Sequence, residues 1–142
     1  MRVLLVISLF FILANIRSIE AKINLDALRK ATKGFKNGCI KATDVTEELV
    51  DGARRGEFPP DPNLMCYFNC ISQKVKLVKN GKISADASIA QAHALVEESL
   101  AIQMINAINA CAYTTEQEDP CKAAYDYSKC YWDYDSNLWF FP

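Results

Sequence analysis

A single histidine, His93, serves this chain of 142 residues. That scarcity excludes the commoner catalytic constellations, because no His–Asp or Cys–His pattern is available for hydrolase chemistry. It also argues against a secreted zinc site. Cys66 and Cys70 have the spacing of two ligands on one helix face, but suitable further ligands are missing. No metal and no cofactor is expected. Asn-x-Ser/Thr does not occur, so no N-glycan is expected. Neither sign of charge is in excess, with 16 Lys and Arg against 17 Asp and Glu. This balance disfavours nucleic acid or an anionic membrane as the main partner. Beyond the first residues, no apolar run is long enough to cross a bilayer.

The first residues are different. Arg2 supplies a positive start, Leu4 to Leu13 forms an apolar stretch, and Ser18 and Ala21 are small exits. Residues 1–21 read as a secretory signal. A membrane anchor is the competing reading, but the stretch is too short and Arg17 interrupts it. Cleavage after Ala21 removes Arg2, Arg17 and Glu20, which leaves residues 22–142 with a net charge of about −2. That length suits one domain, and nothing in the sequence divides it. Secretion into an extracellular fluid follows.

Six cysteines stand at 39, 66, 70, 111, 121 and 130, separated by 26, 3, 40, 9 and 8 residues. An even count behind a signal implies disulfides rather than free thiols. The remainder reads as helix after helix. Asn24 opens a segment with Leu25, Leu28 and Phe35 inward, stopping at Asn37-Gly38. Thr46 caps a short helix, with Val45 and Val50 as a hydrophobic staple. After Phe58-Pro59-Pro60, Asp61-Pro62 opens a long helix running to about Lys79, where Asn80-Gly81 stops it. Ser84 or Asp86 starts the next, through His93. Glu97 to Ala112 is another, and Asp119-Pro120 opens the last, through Cys130. The expected fold is all-α, with about six helices.

Six cysteines allow fifteen pairings. Cys66 and Cys70 lie one turn apart, with Cβ atoms about 5–6 Å apart, whereas a disulfide wants roughly 3.5–4.5 Å. Cys121 and Cys130 are separated by about 13 Å along one helix. Removing both pairs leaves ten arrangements. In each, the third helix is tied to two different partners from adjacent turns of one face.

The cysteine order, with three residues between the second and third and eight between the fifth and sixth, resembles the insect odorant-binding and pheromone-binding proteins. Gly56-Glu57-Phe58-Pro59-Pro60, then Leu64-Met65-Cys66-Tyr67, and the aromatic tail ending in Pro142 resemble the Lush-like branch. The likeness covers essentially all of residues 22–142. It implies interlocked bridges Cys39–Cys70, Cys66–Cys121 and Cys111–Cys130, and an apolar cavity between the helices. A pocket of roughly 300 Å3 costs about 7 kcal/mol when empty. Three disulfides, each contributing about 3–4 kcal/mol, could offset that.

By position from the cysteines, the resemblance implies a lining of Phe35, Phe68, Ser72, Val75, Ile83, Ala124, Tyr131, Trp139 and Phe141. Met104 and Ile108 join it on helical facing, one and two turns before Cys111. Ser72 is the polar member, able to anchor an alcohol, ester or acid by one hydrogen bond. The related branch carries a second hydroxyl five residues on. Leu77 stands there instead, which suggests a more apolar ligand. The tail 131–142 ends in four large apolar residues, Leu138 to Phe141. Left in water they would be a sticky patch, so they are expected to fold back, with a homodimer contact as the competitor. His93, with Glu97 one turn later, is where a pH-dependent release would reside.

The function that the resemblance implies is an extracellular, non-enzymatic carrier. Its partner would be a small apolar ligand such as an odorant, pheromone, fatty alcohol or ester, delivered to a membrane odorant receptor. Secreted phospholipases A2 are also small, helical and disulfide-rich, but they need a His–Asp pair and a glycine-rich calcium loop, both missing here. A reading of another class is a secreted interaction or defence protein whose apolar tail binds a protein partner.

Overall fold

The computed structural model describes residues 21–142. The leader stretch therefore lies, apart from Ala21, outside the described residues. Seven α-helices follow one another: α1 (Leu25–Lys33), α2 (Lys36–Thr43), α3 (Glu47–Ala53), α4 (Pro62–Lys74), α5 (Ala85–Leu95), α6 (Glu98–Cys111) and α7 (Pro120–Tyr134). Two-residue strands β1 (Val78–Lys79) and β2 (Lys82–Ile83) form an antiparallel hairpin between α4 and α5. Short 3-10 turns follow α6 and α7.

The helix starts are set by local chemistry. Asn24, Thr46, Asp61, Ser84 and Asp119 each accept a hydrogen bond from a backbone N–H three residues on. A cap of this kind contributes about 1 kcal/mol. Pro62 and Pro120 occupy first-turn positions where no N–H is needed. Val45 and Val50 are both buried, as the staple around Thr46 requires.

Three places differ from the sequence expectation. The first segment turns at Gly34-Phe35 rather than at Asn37-Gly38, which lie inside α2. The Phe35 N–H donates to the Thr32 carbonyl at 2.9 Å to close that turn. Asn and Gly cost α2 about 1–2 kcal/mol in propensity, but the bridge from Cys39 to Cys70 dictates where α2 lies. Phe35, expected inward, is 37% exposed. Secondly, α4 ends at Lys74, not near Lys79. Asn80 and Gly81 both have positive φ, at 54° and 79°. They make the two-residue turn of the hairpin, which Asn-Gly favours strongly. Thirdly, Ile23 forms a parallel bridge with Val96. Its N–H donates to Leu95 and its carbonyl accepts from Glu97.

The cysteines form three bridges: Cys39–Cys70, Cys66–Cys121 and Cys111–Cys130. They tie α2 to α4, α4 to α7, and α6 to α7. α4 is the hub, packing most extensively on α7 and next on α2. Its buried face carries Leu64, Tyr67, Phe68, Ile71 and Ser72.

The tail folds back into the core. Leu138, Trp139, Phe140 and Phe141 are each at most 6% exposed. Trp139 packs against Phe58, Phe68, Trp132 and Phe141 with ring centroids 5.0–6.0 Å apart. Arg29 on α1 donates to the carbonyls of Asn137 and Trp139, both at 2.8 Å. The Thr32 hydroxyl donates to Phe140 O at 2.7 Å, and the Tyr67 hydroxyl donates to Pro142 O.

Gly56 sits under the same aromatic cluster. Its φ is +85°, and a Cβ there would lie 2.6 Å from Trp132 Nε1. A left-handed non-glycine residue costs roughly 1–2 kcal/mol before any clash. Gly56→Ala is therefore expected to lower unfolding free energy by at least about 2 kcal/mol in urea titrations. A change within about 0.5 kcal/mol, the usual size for an unremarkable surface site, would contradict this packing.

Candidate ligand-binding site

An apolar hollow lies between α1, α5, α6, α7 and the tail. Three helices each present a row spaced for one face. α5 supplies Ser88, Gln91, Ala92 and Leu95; α6 supplies Met104 and Ile108; α7 supplies Tyr127 and Tyr131. Leu28 of α1, Val75 and Leu77 after α4, and Val96 complete the wall, and Phe140 of the tail closes it. Leu95 is 43% exposed, so the lining reaches the surface at the C-terminal end of α5.

The free volume is about 40 Å3, far below the roughly 300 Å3 expected from a formed ligand pocket. The tail closes one side of the hollow: the Phe140 ring, part of the lining, stacks on Phe141 at 4.6 Å and meets Tyr131 edge-on at 6.0 Å. A void this small costs only about 1 kcal/mol, so the bridges have no large cavity to offset in this state.

The lining bears no charged side chain. Burial pushes the Tyr127 hydroxyl well above its usual pKa, only partly opposed by a hydrogen bond with Ser88. Tyr131 is raised further, again by burial first. Both stay protonated and neutral. The hollow can exclude water and offer apolar contact.

Of the residues expected to line a cavity, Val75, Met104, Ile108 and Tyr131 come together here. Phe68, Trp139 and Phe141 meet in the neighbouring aromatic cluster. Ser72 is fully buried on α4, outside this lining, with its hydroxyl unpaired. Ala124 is buried on α7, Ile83 is buried on β2, and Phe35 stands at the surface turn before α2. Leu77, where the related branch has a hydroxyl, forms part of the wall. His93 is exposed at the end of α5, and among the described residues it makes no ion pair with Glu97. The α5 row was missed by sequence reasoning. Its signal was present as the spacing 88, 91, 92 and 95, obscured by the alanines and the polar Ser88 and Gln91.

A second hollow of about 210 Å3 runs along the other side of the tail. It is lined by Arg29, Lys30, Lys33, Lys36 and Arg54 beside Trp139 to Pro142. Lys36 pairs with Asp51 at 2.7 Å, and Arg29 pairs with Asp26 at 3.2 Å. Its cationic rim contrasts with the uncharged wall of the first hollow.

A disulfide-tied helical shell around an uncharged apolar hollow defines a protein that takes up small molecules by burial. The sequence profile of the PBP/GOBP family matches residues 21–134, and the chain belongs to that family. It is 26% identical over 113 residues to general odorant-binding protein 19a of Drosophila melanogaster, covering 79% of this chain and 77% of that protein. The fold resembles Apis mellifera odorant binding protein 5, with a TM-score of 0.74 and 30% identity over 85% of this chain and 99% of that one. Odorant binding protein 4 of Chrysopa pallens gives a TM-score of 0.74 at 27% identity, over 84% of this chain and 99% of that one.

Proposed function

We propose that this protein is a non-enzymatic carrier of small hydrophobic odorants or pheromones, taken into the hollow between α1, α5, α6, α7 and the tail. The observation that carries the proposal is the charge-free apolar lining that reaches the surface beside Leu95. Val75, Leu77, Met104, Ile108 and Tyr131 form the contact wall, and the ligand makes room by displacing Phe140. Affinity comes from apolar area removed from water, about 25 cal/mol per Å2 before association costs. Residues 22–142 act as the ligand-binding domain, secreted behind the 1–21 leader. Six cysteines, all paired, suit an oxidising extracellular fluid, in which the carrier delivers its ligand to a membrane receptor. The reading as an interaction protein lacks its basis, because Leu138 to Phe141 are buried within the chain and offer no apolar patch to a partner or a second copy.

Fluorescence titration with N-phenyl-1-naphthylamine tests this. The oxidised protein is expected to take up one probe per chain and release it to fatty alcohols or esters. Failure to take up the probe saturably would refute the carrier.

A further inference from the structure

We infer that the Tyr131 hydroxyl is the polar anchor of this hollow, and that the preferred guest is an apolar chain bearing one neutral oxygen acceptor, such as an ester, aldehyde or ketone carbonyl. The inference rests on the carrier reading and adds the ligand's chemistry. Four residues of the lining bear polar side chains. Ser88 Oγ donates to the Ser84 carbonyl at 2.9 Å, and the Tyr127 hydroxyl, which lies beside Ser88, is not among the buried unpaired groups. Gln91 is only half-buried and has water within reach. Tyr131 is 1% exposed, and its hydroxyl has no partner among the described residues. Buried hydroxyls in folded proteins are ordinarily paired, and an unpaired one is a standing penalty. A guest that accepts its hydrogen removes that penalty.

The position of Phe140 makes this reachable. Its ring lies edge-on to Tyr131 at 6.0 Å, so a guest that displaces Phe140 takes the place beside Tyr131. The guest's oxygen must be neutral. No cation lines the hollow, and a buried carboxylate without a partner is strongly disfavoured. Burial holds the Tyr131 proton in place, so the hydroxyl remains a donor at any physiological pH.

The test compares the oxidised full chain with Tyr131→Phe, displacing N-phenyl-1-naphthylamine with decyl acetate and with a hydrocarbon of similar length. The unchanged protein is expected to prefer the ester by roughly tenfold more than water-to-alkane transfer alone accounts for, the scale of one buried hydrogen bond. Tyr131→Phe is expected to lose that preference, and to melt at the same or a higher temperature when ligand-free. An ester preference equal in both proteins would overturn the anchor while leaving the carrier standing. A lower melting temperature in Tyr131→Phe would also overturn it, because the hydroxyl would then have a structural partner. Probe uptake by neither protein would overturn the carrier, and the anchor with it.

Discussion

Replacing Cys66 and Cys121 together by serine is expected to lower the unfolding free energy by about 4 kcal/mol. This bridge closes the longest loop of the three, 55 residues, against 31 for Cys39–Cys70 and 19 for Cys111–Cys130. Chain entropy therefore ranks the three removals in that order, with the shortest loop costing about 3 kcal/mol. The Cys66–Cys121 bridge also fastens α4, the hub, to α7, which carries Tyr127 and Tyr131 of the hollow. Its loss is expected to weaken probe uptake as well as stability. Equilibrium urea unfolding of the three double variants checks the ranking. A larger cost for Cys111–Cys130 than for Cys66–Cys121 would show that native-state packing around the bridge, not loop closure, sets its worth.

Phe140→Ala is expected to act in opposite directions on stability and binding. Removing a buried phenylalanine costs about 3–5 kcal/mol, and Phe140 is 6% exposed between Tyr131 and Phe141. The same change enlarges the hollow and spares a guest the work of moving the ring. A binding-competent state that is seldom populated lowers apparent affinity by its population, so making it permanent should tighten uptake of apolar probes by about tenfold. Calorimetric melting and probe titration on one preparation read both effects. A variant that is less stable and also binds more weakly would mean that Phe140 is part of the site's wall and not its occupant.

The sequence marked the framework better than the hollow. Asp61-Pro62 and Asp119-Pro120 announce the starts of α4 and α7 through chemistry contained in a few residues, and both occur as read. The bridges could not be chosen by geometry, which left ten arrangements open; only the family likeness implied the three present. Asn80-Gly81 has the composition of a helix stop, but it stands between Val78 and Ile83 and makes a hairpin turn. Helical period and turn chemistry competed there, and the turn prevailed. The hollow's shape depends on where Phe140 lands against α1, α5 and α7, a meeting of segments distant in sequence. No local pattern encodes it, and so the free volume of about 40 Å3 was not foreseen. The position of Tyr131 after Cys130 marks it as a lining residue, but its unpaired hydroxyl emerges only when the neighbouring helices are assembled.

The central claim is that an apolar guest enters the hollow among α5, α6 and α7 and displaces Phe140. Nuclear Overhauser contacts between methyl-labelled protein and unlabelled decyl acetate test it most directly. The account predicts contacts to the methyl groups of Val75, Leu77, Met104 and Ile108, with a shifted Phe140 ring. Contacts confined to the cationic groove beside Arg29 and Lys33, or none at saturating ester, would contradict it.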